Sequence, residues 1–338
     1  MNERDTTLDS AKSDDGDNAT SLAKAARSVC TGTVALVPPS SRGPSPGPDG
    51  YSLEEIKPGI FWISMGGYDT IFLSTGQGVI LVDAPPVMQG VLLDAIRSRT
   101  DEPIAYQIYS HSHLDHIGAA NIVPSNVTRV AHRETAGILA RLNDFHRPLP
   151  NLTFDDTGHV ILGDKILELR YRGNIHQPGN IFIYEPQHKV LMLVDVIFPG
   201  WIPFRNLAVA NDVHEFVNAH DYVLEYDFDI MVCGHLTRYG TRADVETQRE
   251  YVHCLRTLSQ RALATVGIDK IAARTGTDNL WALMGGYIDE MVEQVNRELL
   301  SASTSDGRPW VERLAGADIW TQHNAFSMIQ ALRIETPD

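Results

Sequence analysis

From Gly59 onward the chain falls into short apolar runs separated by glycine-bearing turns. The first three are Ile60-Phe61-Trp62-Ile63, Thr70-Ile71-Phe72-Leu73 and Val79-Ile80-Leu81-Val82. Pro103 to Tyr109, Ile181 to Tyr184, Val190 to Val194 and Ile230 to Cys233 follow. Short apolar runs bounded by turn residues read as strands. Helical periodicity, with apolar residues returning every three or four positions, occurs over Val87 to Arg97, Arg133 to Asn143 and His214 to Glu225. Strands interleaved with helices predict an α/β (α+β) fold of two mixed sheets packed face to face, with helices outside.

Two regions depart from this pattern. Residues 1 to 50 are polar, acidic at first and then rich in Ser, Pro and Gly. Such a stretch cannot bury enough apolar surface to offset its ordering entropy, so a mostly disordered arm is expected. A lesser alternative has it packing over a partner subunit. The sandwich is expected over residues 51–240, and residues 241–338 carry only helical periodicity. There, Arg242 to Thr265 and Leu280 to Leu300 look helical, with Leu280, Leu283, Met284, Tyr287, Ile288 and Met291 on one stripe. This extension exceeds what the sheets need. Packing on the same domain is the favoured expectation; the sharper one is that Trp281, Met284 or Tyr287 lines a pocket for an apolar substrate group.

Composition narrows the function. With 338 residues and 43% apolar content the chain can build one large core. No apolar run approaches membrane-spanning length, and the N-terminus lacks the apolar stretch of a secretory signal, so a cytoplasmic location and no membrane partner are expected. A formal net charge of −15 argues against a nucleic-acid surface. Cys30, Cys233 and Cys254 show no Cys-x-x-Cys spacing, which makes a disulfide framework unexpected; Cys233 reads as a small buried residue at a strand end. The partners expected are a small-molecule substrate and, as an open option, a second copy of the chain.

The densest chemistry lies at His111-Ser112-His113-Leu114-Asp115-His116, directly after the run 103–109. Alternate side chains of an extended chain point the same way, so His111 and His113 can converge on one ion. If a helix follows, Asp115 and His116 swing round toward a second. Imidazole and carboxylate suit Zn²⁺, and also Mn or Fe. A two-ion site needs more ligands, and strand ends offer them: His176 in the turn 173–180, Asp195 after Val190 to Val194, and His235 after Gly234. Singly, each is more simply a hydrogen-bonded histidine or a turn-forming Asp.

Taken together, the order HxHxDH, His on a Gly-rich turn, Asp, Gly-His resembles the metallo-β-lactamase superfamily, and the apolar run ending in Asp83 matches the family's early strand. The resemblance covers roughly residues 55 to 240. It implies a four-layer αββα sandwich. One metal would be held by His111, His113 and His176, the other by Asp115, His116 and His235, with Asp195 bridging and Asp83 in a structural role. It also implies a metal-dependent hydrolase in which two divalent ions, zinc by preference, share a hydroxide nucleophile that Asp115 orients and relieves of its proton.

A bridging Asp at position 195 favours lactone, thioester or phosphoester chemistry over β-lactam opening. Among the Asp-bridged members of the family the chain resembles, the ligand spacing is closer to the lactonase type than to glyoxalase II, which makes lactone or other carboxylic ester hydrolysis the leading expectation. Alkylsulfatases share the wording Tyr109 to His113 but are much longer and use Glu ligands not found here. Two competitors from other classes are a mononuclear iron oxygenase of the persulfide-dioxygenase type and a non-catalytic ligand-binding or sensing protein that keeps the fold. Outside the ligand set, His146 lies in a polar stretch, Asn143 to Pro148, that could overhang the site.

Overall fold

The computed structural model describes residues 34 to 335; the expected disorder of residues 1 to 33 lies outside the described residues. Seven strands form the first sheet in sequence order: β1 (Ser52–Lys57), β2 (Ile60–Ser64), β3 (Asp69–Ser74), β4 (Val79–Val82), β5 (Ile104–Ile108), β6 (Thr128–His132) and β7 (Leu152–Phe154). Its first four strands pair antiparallel and the rest parallel. The second sheet contains β8 (Thr157–Leu162), β9 (Lys165–Tyr171), β10 (Ile181–Glu185), β11 (Val190–Met192) and β12 (Ile230–Val232), with only β11 and β12 parallel. Both sheets are therefore mixed, as the interleaved pattern predicts.

The continuous apolar runs have a simple cause, which is that their strands are buried on both faces. Ile60 and Trp62 of β2 point between the sheets, toward Leu167, Leu169, Ile183 and Val232. Phe61 and Ile63 of the same strand point outward, where Leu92, Ala95 and Ile96 of α1 (Leu92–Arg97) cover them. A third cluster joins Phe182 and Leu191 of the second sheet to α4 (Val213–Leu224), α5 (Arg242–Thr265), α7 (Leu280–Ser301) and α9 (Ala317–Glu335). These three apolar interfaces separate four layers: helices, sheet, sheet, helices. The remaining helices are α2 (Leu114–Ile117), α3 (Arg133–Leu142), α6 (Ile268–Thr275) and α8 (Trp310–Arg313).

Three sequence expectations need correction. The stretch from Val87 to Arg97 is not one helix; a 3₁₀ turn (Pro86–Met88) and α1 are separated around Gly90, where helix propensity is lowest. Residues 36 to 50 are not disordered. Ser41 is fully buried and its hydroxyl donates to Gly200 O, while Trp201 Nε1 donates to Ser41 O and Gly43 N to Thr237 Oγ1. The prolines of this stretch leave it little backbone freedom to lose, so a few such bonds suffice to fix it. Finally, α9 has no counterpart among the predicted helices: its buried positions include Thr321 and Asn324, which blur the apolar stripe.

Candidate metal centre

The loops at one edge of the sandwich carry every proposed ligand, and buried polar side chains fasten each loop. Ser110, just past β5, donates its amide to Asp83 Oδ1 at 2.8 Å, accepts from Ile181 N of the other sheet, and sets its hydroxyl 2.9 Å from His111 Nδ1. Asp83 thus serves structure, as expected; burial pushes its carboxyl up to about 6. The single turn of α2 then carries Asp115 and His116 around to the far side of the site. Gln177 donates to Ser112 Oγ and Asn180 to Val194 O, tying the His176 turn to the loops on either side. At the last ligand loop, Gly234 N donates to Asp69 Oδ1. Gly234 has φ +82° and a Cβ there would meet Val194 at 2.6 Å, so only glycine fits.

At the centre stands Asp195, 5% exposed and itself held at φ 68°. Its two oxygens face different groups. Oδ2 lies 3.2 Å from His111 Nε2, 3.8 Å from His113 Nδ1 and 3.3 Å from His176 Nε2. Oδ1 lies 3.2 Å from His116 Nε2 and 2.8 Å from His235 Nε2. Asp115 Oδ2 completes the second group at 3.6 Å from His116 and 3.7 Å from His235. In each group the donor atoms lie within 4.8 Å of one another.

The charge balance of this cluster fits a cation. Burial holds His111 well below the ordinary imidazole value. It also opposes protonation of His116, but Asp195, Asp115 and Asp83 outweigh it and raise that imidazole to about 9. For Asp195, burial works against the charged form, yet His116 and the surrounding imidazole donors hold it well below the usual carboxylate range. Among the described residues the ion-pair partners of Asp195 are all histidines, and His111 Nε2 and Asp195 Oδ1 stay fully buried with no aligned hydrogen bond. Divalent cations would satisfy both atoms at once, so the donor set fits two such ions.

A cavity of about 670 Å³ opens directly over the site. Asp115, Asp195, His113, His176 and His235 form its floor, and Tyr68 flanks it with its hydroxyl 3.4 Å from Asp115 Oδ2. The walls are Phe198, Trp201, Ile202, Phe204, Ile319 and Trp320. Of the weak substrate-contact expectations, none reaches this lining. Trp281 is 85% exposed, at the start of α7. Met284 and Tyr287 are half-buried further along that helix, Tyr287 packing on the core cluster of the second sheet. His146 is exposed beside Phe145; its neighbour Arg147 is the residue that touches the metal loop, donating to Ser112 O at 2.7 Å. The helix that does reach the cavity is α9, two helices after α7.

A sequence profile of the metallo-beta-lactamase superfamily matches residues 66–235, half of the chain, and spans all seven clustered candidate ligands. The chain belongs to that superfamily. A metallo-beta-lactamase from Pontibacter korlensis shares its fold (TM-score 0.52, 19% identity, over 60% of this chain and 99% of that one). So does the stereoselective inverting sec-alkylsulfatase Pisa1 from Pseudomonas sp. (TM-score 0.61, 17% identity, over 93% of this chain and 57% of that one). The chain is also 28% identical over 208 residues to the 2,4-dinitroanisole O-demethylase subunit alpha of Nocardioides sp. (strain JS1661). That match covers 59% of this chain and 63% of the relative's length.

Within this superfamily member, the functional residues that sequence reasoning did not single out are Asp69, Tyr68 and the cavity walls. Asp69 opens β3, and burial pushes its carboxyl up to about 7 while it holds the His235 loop; an acidic residue starting an apolar run was the available signal. Least visible is the segment Asn206 to Val209, four consecutive residues at φ 53° to 59°, which form a left-handed turn without a glycine. Asn324 of α9 fixes it, accepting from Leu207 N at 2.8 Å and donating to Pro203 O at 3.0 Å. Ala208 and Val209 thereby join the cavity wall.

Proposed function

We propose that this chain is a two-metal hydrolase that cleaves lactones or other carboxylic esters, with zinc as the preferred ion. The observation that carries the reading is Asp195, whose two oxygens each face one ligand group and so support the sharing of one carboxylate between two ions. His111, His113 and His176 would hold one, and Asp115, His116 and His235 the other. When bound, the ions supply an activated water at neutral pH and an electrophile for the substrate oxygen.

The remaining work falls to the chain. Asp115 faces both the ligands and the cavity, where it can take a proton from the attacking water and return it to the leaving oxygen. The Tyr68 hydroxyl donates to Asp115 and fixes its orientation. The apolar walls exclude bulk water and strengthen electrostatics at the floor. Ester rather than phosphoester substrates are favoured because the described cavity lining includes no Lys or Arg to hold an anionic group.

The partner proposed is a small molecule, and a homodimer is a further option. No helix among the described residues is long and apolar enough to cross a membrane, and a cytoplasmic setting is proposed with it.

The test is a hydrolysis panel of lactones, aryl esters, thioesters, phosphodiesters and β-lactams with metal-quantified protein. Turnover of lactones or esters with two ions per chain is expected. Activity confined to phosphodiesters overturns the substrate reading; one iron per chain with persulfide-dependent oxygen uptake overturns the hydrolase reading. The relative named as a 2,4-dinitroanisole O-demethylase subunit supports a second reading, hydrolysis of an activated aryl methyl ether to the phenol and methanol. Release of 2,4-dinitrophenolate from 2,4-dinitroanisole in the same panel tests it.

A further inference from the structure

The cavity walls carry information that the metal floor does not. Every titratable residue lining the cavity sits at the floor or beside it: Asp115, Asp195, three histidines and Tyr68. Above them the lining is apolar or aromatic. Trp201 enters from the loop after Asp195, and its indole N–H is already committed to Ser41 O at 3.1 Å. Phe204 and Trp320 meet edge to face, with ring centroids 5.5 Å apart and planes at 63°. Phe204 and Val209 remain 52% and 61% exposed, far more than side chains of their kind in the core.

We propose that this upper chamber binds an uncharged aromatic or similarly bulky apolar group of the substrate, held between Trp201 and Trp320 while the scissile bond sits at the floor. This rests on the hydrolase reading and names the substrate class for that same site. Flat aromatic walls favour a ring, which can stack offset or edge-on. The volume lies within the range of pockets that enclose a small organic molecule. Charge decides the other half. A carboxylate, sulfate or phosphate placed away from the reacting bond would lose hydration in the chamber with no cation to pair with. The formal net charge of −15 adds a general repulsion of anions.

The chamber is also built in a way that fixes its shape. A left-handed conformation costs roughly 1–2 kcal/mol per residue, yet Asn206 to Val209 adopt it consecutively. Such strain persists only where the surroundings over-determine it. Here the burial of Leu207 beneath and the two Asn324 bonds supply that constraint. Asn211 N, two residues past the turn, donates to His176 O at 2.8 Å, so the wall is braced against a metal ligand. A rigid apolar wall next to the floor selects by shape and polarity.

The experiment uses metal-loaded full-length protein and two readouts. Rates on 4-acetylphenyl acetate and 4-carboxyphenyl acetate are each divided by the spontaneous rate, and 1-acetonaphthone, a ketone with no ester bond, is titrated by calorimetry. Expected are a tenfold or greater preference for the neutral ester and saturable binding of the ketone. Trp320→Ala should weaken ketone binding at least tenfold and Trp320→Phe less, whereas Trp281→Ala, on the exposed end of α7, should change neither readout. Val209→Lys, at an exposed wall position whose left-handed backbone suits Lys at least as well as Val, should raise the rate on the anionic ester relative to that on the neutral one threefold or more. This variant keeps the proposal testable should Trp320→Ala fail to fold. Equal normalised rates on the two esters, or ketone binding indifferent to Trp320, overturn the proposal while leaving the hydrolase reading intact. Ketone binding with the expected variant effects but no ester turnover overturns the hydrolase reading and keeps the chamber.

Discussion

The floor and the walls of the cavity are built on opposite plans. The floor takes four of its seven candidate ligands from six consecutive residues and the other three from the loops after β9, β11 and β12, each loop fastened by a buried hydrogen bond. The walls take their residues from the loop after Asp195, from a strained turn and from a helix more than a hundred residues downstream. Chemistry that needs fixed ligand geometry is concentrated in short motifs on rigid elements. Selectivity is dispersed over segments whose only common property is where the fold leaves them.

Substitutions can break this contrast or sharpen it. The largest effect belongs to the floor: Asp115→Asn should lower kcat by about 10²–10⁴-fold, the range for loss of a positioned proton carrier, with an unchanged circular dichroism spectrum. Turnover equal to wild type would sink the role assigned to Asp115. Asp195→Ala should reduce the metal content measured by mass spectrometry below two ions per chain, since both groups lose their shared carboxylate.

The support beneath the walls comes next. His220 of α4 is fully buried; it sits where its Nδ1 can donate to Phe216 O, and its Nε2 accepts from Gln248, whose side chain also grips Val196 O and Phe198 N beside the metal loop. Burial lowers its pKa to about 4. The unfolded chain binds that proton near pH 6.5 and the folded chain does not, so stability is full above 6.5 and falls as pH drops toward 4. The loss is about 3 kcal/mol, read as the difference in denaturant midpoints between wild type and His220→Gln across that range.

Asn324→Ala leaves Leu207 N and Pro203 O unpaired and should cost about 2 kcal/mol while raising KM more than it lowers kcat. A pure kcat effect would show that the turn serves the floor instead. The smallest effect is expected at Trp281→Ala, whose side chain is almost fully exposed: within about 0.5 kcal/mol of wild type in thermal unfolding.

The same contrast explains how far the sequence could be read. The ligands were legible because imidazoles and carboxylates at strand ends are rare and sit on apolar runs that any period analysis finds. The strands buried on both faces were legible for the same reason. Strands β8 and β9 alternate buried and exposed positions and were open to a period-two reading, although they lack the conspicuous apolar runs. The turn at 206–209 was not open to any local reading. Of Arg205 to Val209 only Asn206 is of a type that readily adopts a left-handed backbone, and the constraint that imposes it on Leu207, Ala208 and Val209 comes from Asn324, over a hundred residues away. Trp281 misled for the complementary reason: an aromatic at helical spacing indicates a face but not which neighbour, or whether any, covers it.

Ser110 and the ligand loops have one more consequence. His111, His113, Asp115 and His116 hang from the first sheet, whereas His176, Asp195 and His235 hang from the second. Each proposed ion would therefore take ligands from both sheets and act as a rivet through the open edge of the sandwich. Occupancy of the floor would thus set the mechanical closure of the fold as well as its reactivity, and chelation should loosen that edge in hydrogen exchange before the distant helices respond.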